Sequence, residues 1–290
     1  MSTLVDTLQP PPTEAQIIEK LQHKVSASKL VLFQSCRLRF WFRYVLGLRK
    51  PKTPALHVGV AVHAVLSNWN RARWRQQSPG LAELHASYQE VWRSEQSEEP
   101  VAWDTPAVEA EQQQTGWRLL ETFFRESPIR EAGKPDAVEV MVEADLTRHG
   151  LPTLVGVLDL VQNQTVIDFK TSSTTPNAER AVLVNATQAT AYSLLYRENT
   201  GDQEKGVELH HLVKLKQPKL VVLTLPTVCE REQSRLFRVI DSYVEGLARH
   251  DFIPSPGLQC VTTGSGSIWR PSCARMTSRL RAPTCARSVR

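Results

Sequence analysis

The sequence contains no run of 18 or more consecutive apolar residues, and this absence argues against a transmembrane helix. Its first residues, MSTLVDTLQPPPTEAQ, lack a basic region followed by an apolar core, so they do not resemble a secretory signal. We therefore expect a cytoplasmic protein without a membrane partner. The three prolines at positions 10–12 predict a loose leader over residues 1–25.

Cysteine is also scarce. The five cysteines lie at positions 36, 229, 260, 273 and 285 of the 290-residue chain. An odd number in a chain without an export signal argues against a disulfide framework. Metal ligation remains open for these residues.

Acidic residues and lysine are absent from residues 261–290, although this segment carries six arginines. Removing those six from the 35 basic residues leaves 29, against 30 acidic residues, so the net charge of +5 comes from the tail. The segment has almost no apolar periodicity, and we expect residues 259–290 to be an irregular tail. A frame-shifted C-terminus would have the same composition. Any nucleic-acid interpretation must depend on local basic clusters in the rest of the chain.

The rest of the chain has ordinary globular composition, with 41% hydrophobic and 22% charged residues. Helical spacing dominates the first half, and strand alternation begins near residue 137. The pattern predicts one domain over 26–258, with a helical part at 26–130 and a mixed α/β core at 137–250. Helices are predicted at 26–48, 56–77, 81–97, 106–126, 178–198 and 229–249, and strands at 137–147, 153–161, 164–170, 207–214 and 219–225.

The stretch GVLDLVQNQTVIDFKTS, residues 156–172, places acids and a lysine among apolar strand residues. Asp168 and Lys170 share one face because side chains alternate along a strand, and Asp159 lies on the preceding strand of a hairpin turning at Gln162-Asn163. Two neighbouring carboxylates repel unless a cation lies between them, and Mg²⁺ or Mn²⁺ prefers such oxygen ligands. The alternative is a surface hairpin whose Asp168 and Lys170 form an ordinary ion pair.

Two further motifs are uninformative when taken singly. GVAVH places His63 on an apolar helix, where a histidine is more often a core residue than a ligand. QATAY places Gln188 and Tyr192 at i and i+4, on one face of a helix.

Together, these motifs resemble a known family. SASKLVLFQSC…RFWFRYVLGL, ALHVGVAVHAVL, GVLD, DFKTS and QATAYSLLY, in this order, resemble the RecB-like branch of the PD-(D/E)XK nuclease superfamily over residues 26–258. That branch includes recombination nuclease domains, phage exonucleases and CRISPR adaptation nucleases. The resemblance implies a restriction-endonuclease-like α/β fold, a mixed central sheet flanked by helices.

The resemblance also implies roles for individual residues. His63, Asp159, Asp168 and the backbone carbonyl of Phe169 would bind Mg²⁺ or Mn²⁺, and Lys170 would be the catalytic lysine. Gln188 and Tyr192 would line the active site and contact DNA. Glu143, in the strand before the hairpin, would be an outer acidic group.

Basic clusters flank these motifs. If the resemblance holds, Arg37, Arg43, Arg71 and Arg73 would border a DNA channel, and Trp69 and Trp74 would be available for base stacking.

Some members of the branch hold an iron–sulfur cluster on one cysteine of the first helix and three compactly spaced C-terminal cysteines. Cys36 matches the first, and FIPSPGLQC resembles the approach to the second at Cys260. The pattern then breaks, because Cys273 and Cys285 follow at wide spacings. Either Cys36 and Cys260 are remnants in a chain whose end is altered, or Cys260, Cys273 and Cys285 join Cys36 in binding a cluster through long loops.

The sequence thus predicts a metal-dependent DNA nuclease, an exonuclease rather than an endonuclease. Its expected setting is DNA repair, recombination or the processing of phage and mobile-element DNA, with a helicase or recombination partner. The alternative is a DNA-binding or assembly module that keeps the fold without cleaving.

Overall fold

The computed structural model describes residues 11–48 and 50–255. In this part of the chain, eight α-helices surround one six-stranded sheet. The strands are β1 (Lys24–Ser26), β2 (Ala137–Ala144), β3 (Thr153–Gln162), β4 (Thr165–Ser172), β5 (Gly206–Val213) and β6 (Lys219–Leu225). The helices are α1 (Glu14–His23), α2 (Ala27–Ser35), α3 (Arg37–Phe40), α4 (Pro54–Trp74), α5 (Leu81–Glu98), α6 (Pro106–Glu126), α7 (Ala178–Thr200) and α8 (Glu230–Ala248).

The sheet is mixed, as predicted. Strand β3 pairs antiparallel with β2 and β4 and parallel with β1, while β5 pairs parallel with β4 and antiparallel with β6. Helix α7 provides the long crossover that a parallel β4–β5 connection requires. The order of helices and strands therefore confirms the predicted α/β class.

Each face of the sheet is covered by its own helices. On the α7 face, apolar residues of α1, α2, α7 and α8 pack against strand residues such as Leu158 and Val166. On the α4 face, residues of α4, α5 and α6 pack against Leu160, Ile167 and Phe169. The predicted helical part, residues 26–130, is therefore divided between the two faces of the sheet, with α2 on one and α4, α5 and α6 on the other. Both cores include residues of β3 and β4.

The hairpin between β3 and β4 turns one residue later than predicted. Gln162 still pairs with Thr165, and the turn residues are Asn163 and Gln164, with φ of 52° and 66°. Positive φ at both central residues is the geometry whose twist matches that of the flanking strands, and Asn tolerates it well.

The prediction of a loose leader through residue 25 is wrong for its described part. Thr13 and Gln16 form a capping box that starts α1, and Ile18 and Leu21 bury the inner face of this helix. Strand β1 then joins the sheet beside β3.

The predicted helix 26–48 is also interrupted. Cys36 is extended, with φ of −166°, and separates α2 from α3. A π-helical turn follows at Trp41–Val45. Nowhere in the described ranges is a helix both long and apolar enough to cross a membrane.

Candidate active site

The site lies where two strands of the sheet part. Strand β2 follows one edge of β3, while the other edge is shared by β1, at residues 153–155, and β4, at residues 160–162. Between these two partners, residues 156–159 of β3 have an open edge. The pairing of β3 with β4 ends at Leu160 and Ile167. The next residues toward the open edge are Asp159 on β3 and Asp168 on β4. The two carboxylates therefore stand on either side of a gap.

Asp159 is fixed from two directions. Its Oδ2 lies 2.8 Å from Nε2 of His63 on α4, and it accepts a hydrogen bond from the Phe169 backbone N–H at 3.1 Å. The N–H and C=O of a strand residue point to the same edge, so the Phe169 carbonyl also faces the gap. The Phe169 ring is buried on the α4 face, 6.1 Å from the His63 ring.

A second network joins β4 to α7. Gln188 Nε2 donates to Asp168 Oδ1 at 3.0 Å and lies 2.8 Å from the Tyr192 hydroxyl. Lys170 Nζ donates to Gln188 Oε1 at 3.1 Å and lies 2.7 Å from Asp168 Oδ2. The i and i+4 spacing of Gln188 and Tyr192 thus brings both side chains to the strand end that carries Asp168 and Lys170.

Burial and neighbouring charges perturb these groups. Burial raises the pKa of Asp168; the positive charge of Lys170 opposes this and the negative charge of Asp159 reinforces it. Burial lowers the pKa of His63, but the hydrogen bond and charge of Asp159, aided by Asp168 and Glu139, outweigh it, so the pKa is raised overall. Burial, followed by the charge of Asp168, raises the pKa of Tyr192, which keeps its phenol protonated. The carboxylates of Asp159, Asp168 and Glu139 therefore favour positive charge at His63.

The sequence matches the PD-(D/E)XK nuclease superfamily over residues 24–271. The match covers most of the chain. The protein belongs to this superfamily. Asp159, Asp168 and Lys170, to which the sequence resemblance gave the motif positions of this family, lie beside the gap between β3 and β4.

One solved structure has a similar fold. A candidate exonuclease from Eubacterium rectale superposes with a TM-score of 0.57 at 10% identity, covering 91% of this chain and 100% of its own. A second structure, of SSO0001, is matched at 13% identity with a TM-score of 0.31, over 81% of this chain and 91% of its own. No curated protein sequence matches the chain.

Nucleases of this superfamily typically use divalent metals such as Mg²⁺. The donors fit such an ion. Asp168 Oδ2 is buried and accepts no hydrogen bond, because its contact with Lys170 lacks hydrogen-bond geometry. Asp159 and the Phe169 carbonyl face the same gap. Across the described residues, no three His, Cys, Asp or Glu side chains form a ready-made cage. Magnesium does not require one, because it usually binds one or two carboxylates and keeps several waters.

Glu139 is the acidic residue that the sequence analysis missed. Its carboxylate lies 3.9 Å from His63 Nδ1 and accepts a hydrogen bond from Arg71 at 2.6 Å. Glu143, the predicted outer acid, pairs instead with Lys24 at 2.7 Å and lies opposite Val155, at the far end of the open edge. The pairing of β2 with β3 would have identified Glu139, because the register places it opposite Asp159.

The predicted DNA-contacting residues differ in availability. Arg43 is exposed and Trp74 is 46% exposed, whereas Arg37 is ion-paired with Asp251. Arg73 donates to Asn70, Gln162 and two backbone carbonyls and stacks on Trp69. Trp69 itself is buried against Phe123 and Phe124, so it is not available for base stacking. Arg73 and Trp69 therefore hold α4 to the fold.

Of the predicted cluster ligands, only Cys36 lies within the described residues, and it is buried. Cys260, Cys273 and Cys285 lie outside them.

Proposed function

We propose that the protein is a divalent-metal-dependent deoxyribonuclease of the RecB-like type, acting from DNA ends. The observation that supports this most strongly is the convergence of Asp159, Asp168 and Lys170 at the open edge of β3, held by His63 on one side and Gln188 on the other. An isolated surface ion pair would be exposed, but Asp168 is 3% exposed. Burying such a charge is costly unless it is paired or binds a metal.

In this proposal, Asp159, Asp168, the Phe169 carbonyl and His63 hold the metal ion. The bound ion would acidify a water and neutralise charge on the scissile phosphate. Lys170 places its ammonium beside the reacting phosphate, where it stabilises the charge that develops in the transition state. Gln188 keeps Lys170 and Asp168 aligned, because its amide bonds to both.

Action on DNA ends rests on two supports. The family is one of nucleases, and the candidate exonuclease from Eubacterium rectale shares the fold over nearly the whole chain. Exposed Arg43 and Trp74 would provide a phosphate contact and a stacking surface for a single strand.

The test is cleavage of end-labelled single- and double-stranded DNA by the wild-type protein, Asp168→Ala and Lys170→Ala, with Mg²⁺, Mn²⁺ or EDTA. We expect cleavage that requires metal and falls by at least about 100-fold in each variant. Lys24→Ala is the matched control, since Lys24 forms an exposed ion pair away from the gap. A circular single strand should resist the enzyme, because it offers no end.

Each result has a defined meaning. Cleavage that survives both substitutions contradicts the active-site assignment. Binding of DNA without cleavage would support the non-cleaving module instead. Rapid cutting of the circular strand would agree with a nuclease but would show that it is an endonuclease and not an exonuclease.

A further inference from the structure

Glu139 occupies an unusual position in the sheet. Its φ is +45°, and although it stands opposite Asp159 in register, the two are not paired, while Val138–Leu160 and Val140–Leu158 on either side are. A non-glycine residue with positive φ is uncommon, and strain of this kind concentrates at functional sites.

On either side of the distortion, side chains that would share one face of the sheet in a regular strand point to opposite faces. Val138 packs on the α4 face and Val140 on the α7 face, although residues two apart in a regular strand share a face. Strand β3 makes the same change between Leu158 and Leu160. Glu139 and Asp159 thus lie together where the side chains of β2 and β3 change face, and both can reach His63 on α4.

His63 is bracketed by these two carboxylates. Its Nε2 lies 2.8 Å from Asp159 Oδ2, and its Nδ1 lies 3.9 Å from Glu139 Oε1. The other oxygen of Glu139 accepts from Arg71, which lies eight residues after His63 on the same helix. Helix α4 therefore carries both His63 and Arg71, and Arg71 holds the Glu139 carboxylate beside the His63 ring.

The chemistry of a histidine ligand makes this arrangement useful. An imidazole that gives one nitrogen to a metal must carry its proton on the other, and an acceptor there fixes the ring and raises its basicity. In this structure Nε2 donates to Asp159; if Nε2 bound a metal instead, Nδ1 would be the nitrogen left to carry the proton. Glu139 is the carboxylate beside it.

We propose that Glu139 is a positioning residue: held by Arg71, its carboxylate accepts a hydrogen bond from the Nδ1–H of metal-bound His63 and so orients Nε2 toward the metal. This inference rests on the proposed function. The 3.9 Å separation exceeds a hydrogen bond, so the proposal requires the ring to move toward Glu139 when Nε2 binds the ion.

The experiment measures Mn²⁺ binding by titration calorimetry to the wild-type protein, Glu139→Gln and Glu143→Gln. Glu143 is the matched control, since it lies on the same strand but pairs with Lys24. We expect Glu139→Gln to weaken Mn²⁺ binding about 10- to 100-fold and Glu143→Gln to leave it unchanged. Electron spin-echo spectra of bound Mn²⁺ should lose or shift the imidazole nitrogen signal only in Glu139→Gln.

The outcomes separate the inference from the function on which it rests. Equal affinity and an unchanged nitrogen signal in Glu139→Gln would overturn the role of Glu139 and leave the nuclease intact. A wild-type protein that binds no Mn²⁺ would contradict both. Circular dichroism of the metal-free variants shows whether they fold, and Arg71→Gln, which removes the clamp but not the carboxylate, should give an intermediate loss.

Discussion

Gln188 connects the charged residues of the site at the scale of single side chains. Its amide forms hydrogen bonds with Asp168, Lys170 and Tyr192. These bonds restrict the orientation of the Lys170 ammonium and the Asp168 carboxylate. The sequence indicated a functional Gln188 and Tyr192 only through the family resemblance, because their spacing also fits an ordinary helix face.

We expect Gln188→Ala to lower the DNA cleavage rate at saturating substrate by about 10- to 100-fold, because Lys170 and Asp168 lose their shared partner. Single-turnover cleavage under Mg²⁺ measures this. Thr187→Ala is the control, since its hydroxyl bonds to Gln34 and not to the site. Equal rates for Gln188→Ala and the wild type would show that Gln188 does not align the lysine.

His57 offers a pH-dependent test away from the active site. The ring is fully buried and packs against Trp92 at 4.3 Å and Trp103 at 5.7 Å. Burial and then the charge of Lys52 lower its pKa, while Glu95 and Glu109 partly oppose them. The folded state thus disfavours the proton that the unfolded chain accepts near pH 6.5.

Because folding lowers the pKa of His57, this residue does not reduce the free energy of unfolding above about pH 6.5. Below that value, it reduces the free energy of unfolding increasingly as the pH falls. We expect His57→Phe to lose less free energy of unfolding than the wild type between pH 7.5 and pH 5. The difference should reach up to about 1.4 kcal/mol per pH unit. Urea unfolding at each pH measures it, and parallel curves would contradict the burial argument.

At the scale of elements, the contact between α2 and α8 depends on a glycine. A Cβ at Gly246 would lie 2.6 Å from Cζ of Phe33, whose ring is held edge-on by Phe40 and Tyr243. The ring cannot easily move away because all three aromatic residues are buried.

Gly246→Ala should therefore destabilise the protein by about 1–3 kcal/mol, although alanine is normally the better helix residue. Thermal or urea unfolding measures the change. Gly133→Ala is the control, since its Cβ would meet no atom within 4 Å. A variant as stable as the wild type would show that Phe33 can repack.

Elements also show where local sequence signals sufficed. The tight turn, the strand alternation and the apolar helix faces gave most of the helices and strands within a few residues. The helix break at Cys36 and the π-helical turn at Trp41–Val45 could not be predicted, because the apolar spacing continues through both. Helix α1 was missed because its capping box follows a proline run.

At the scale of the whole molecule, the two cores share one sheet. Leu158 and Val166 belong to the α7 face, while Leu160 and Ile167 belong to the α4 face of the same two strands. Loss of either helical layer exposes apolar strand residues, so neither layer is expected to persist alone.

We expect tryptophan fluorescence and far-UV circular dichroism to report one coincident urea transition. Five of the seven tryptophans lie within residues 54–126, so fluorescence mainly follows the α4 layer. A fluorescence midpoint at lower urea than the dichroism midpoint would show that this layer unfolds separately.

The sequence by itself determined the fold class, the strand pair that carries Asp159, Asp168 and Lys170, and the helix that carries Gln188 and Tyr192. These follow from periodicity and ordered motifs, which are local properties of the chain. Tertiary structure alone decided that β3 and β4 part at the two aspartates and that Trp69 and Arg73 are structural. It also decided that Glu139, and not Glu143, lies beside His63. Those outcomes depend on strand register, on one positive φ angle and on the packing of α4, which couple residues distant in sequence and leave no periodic signal.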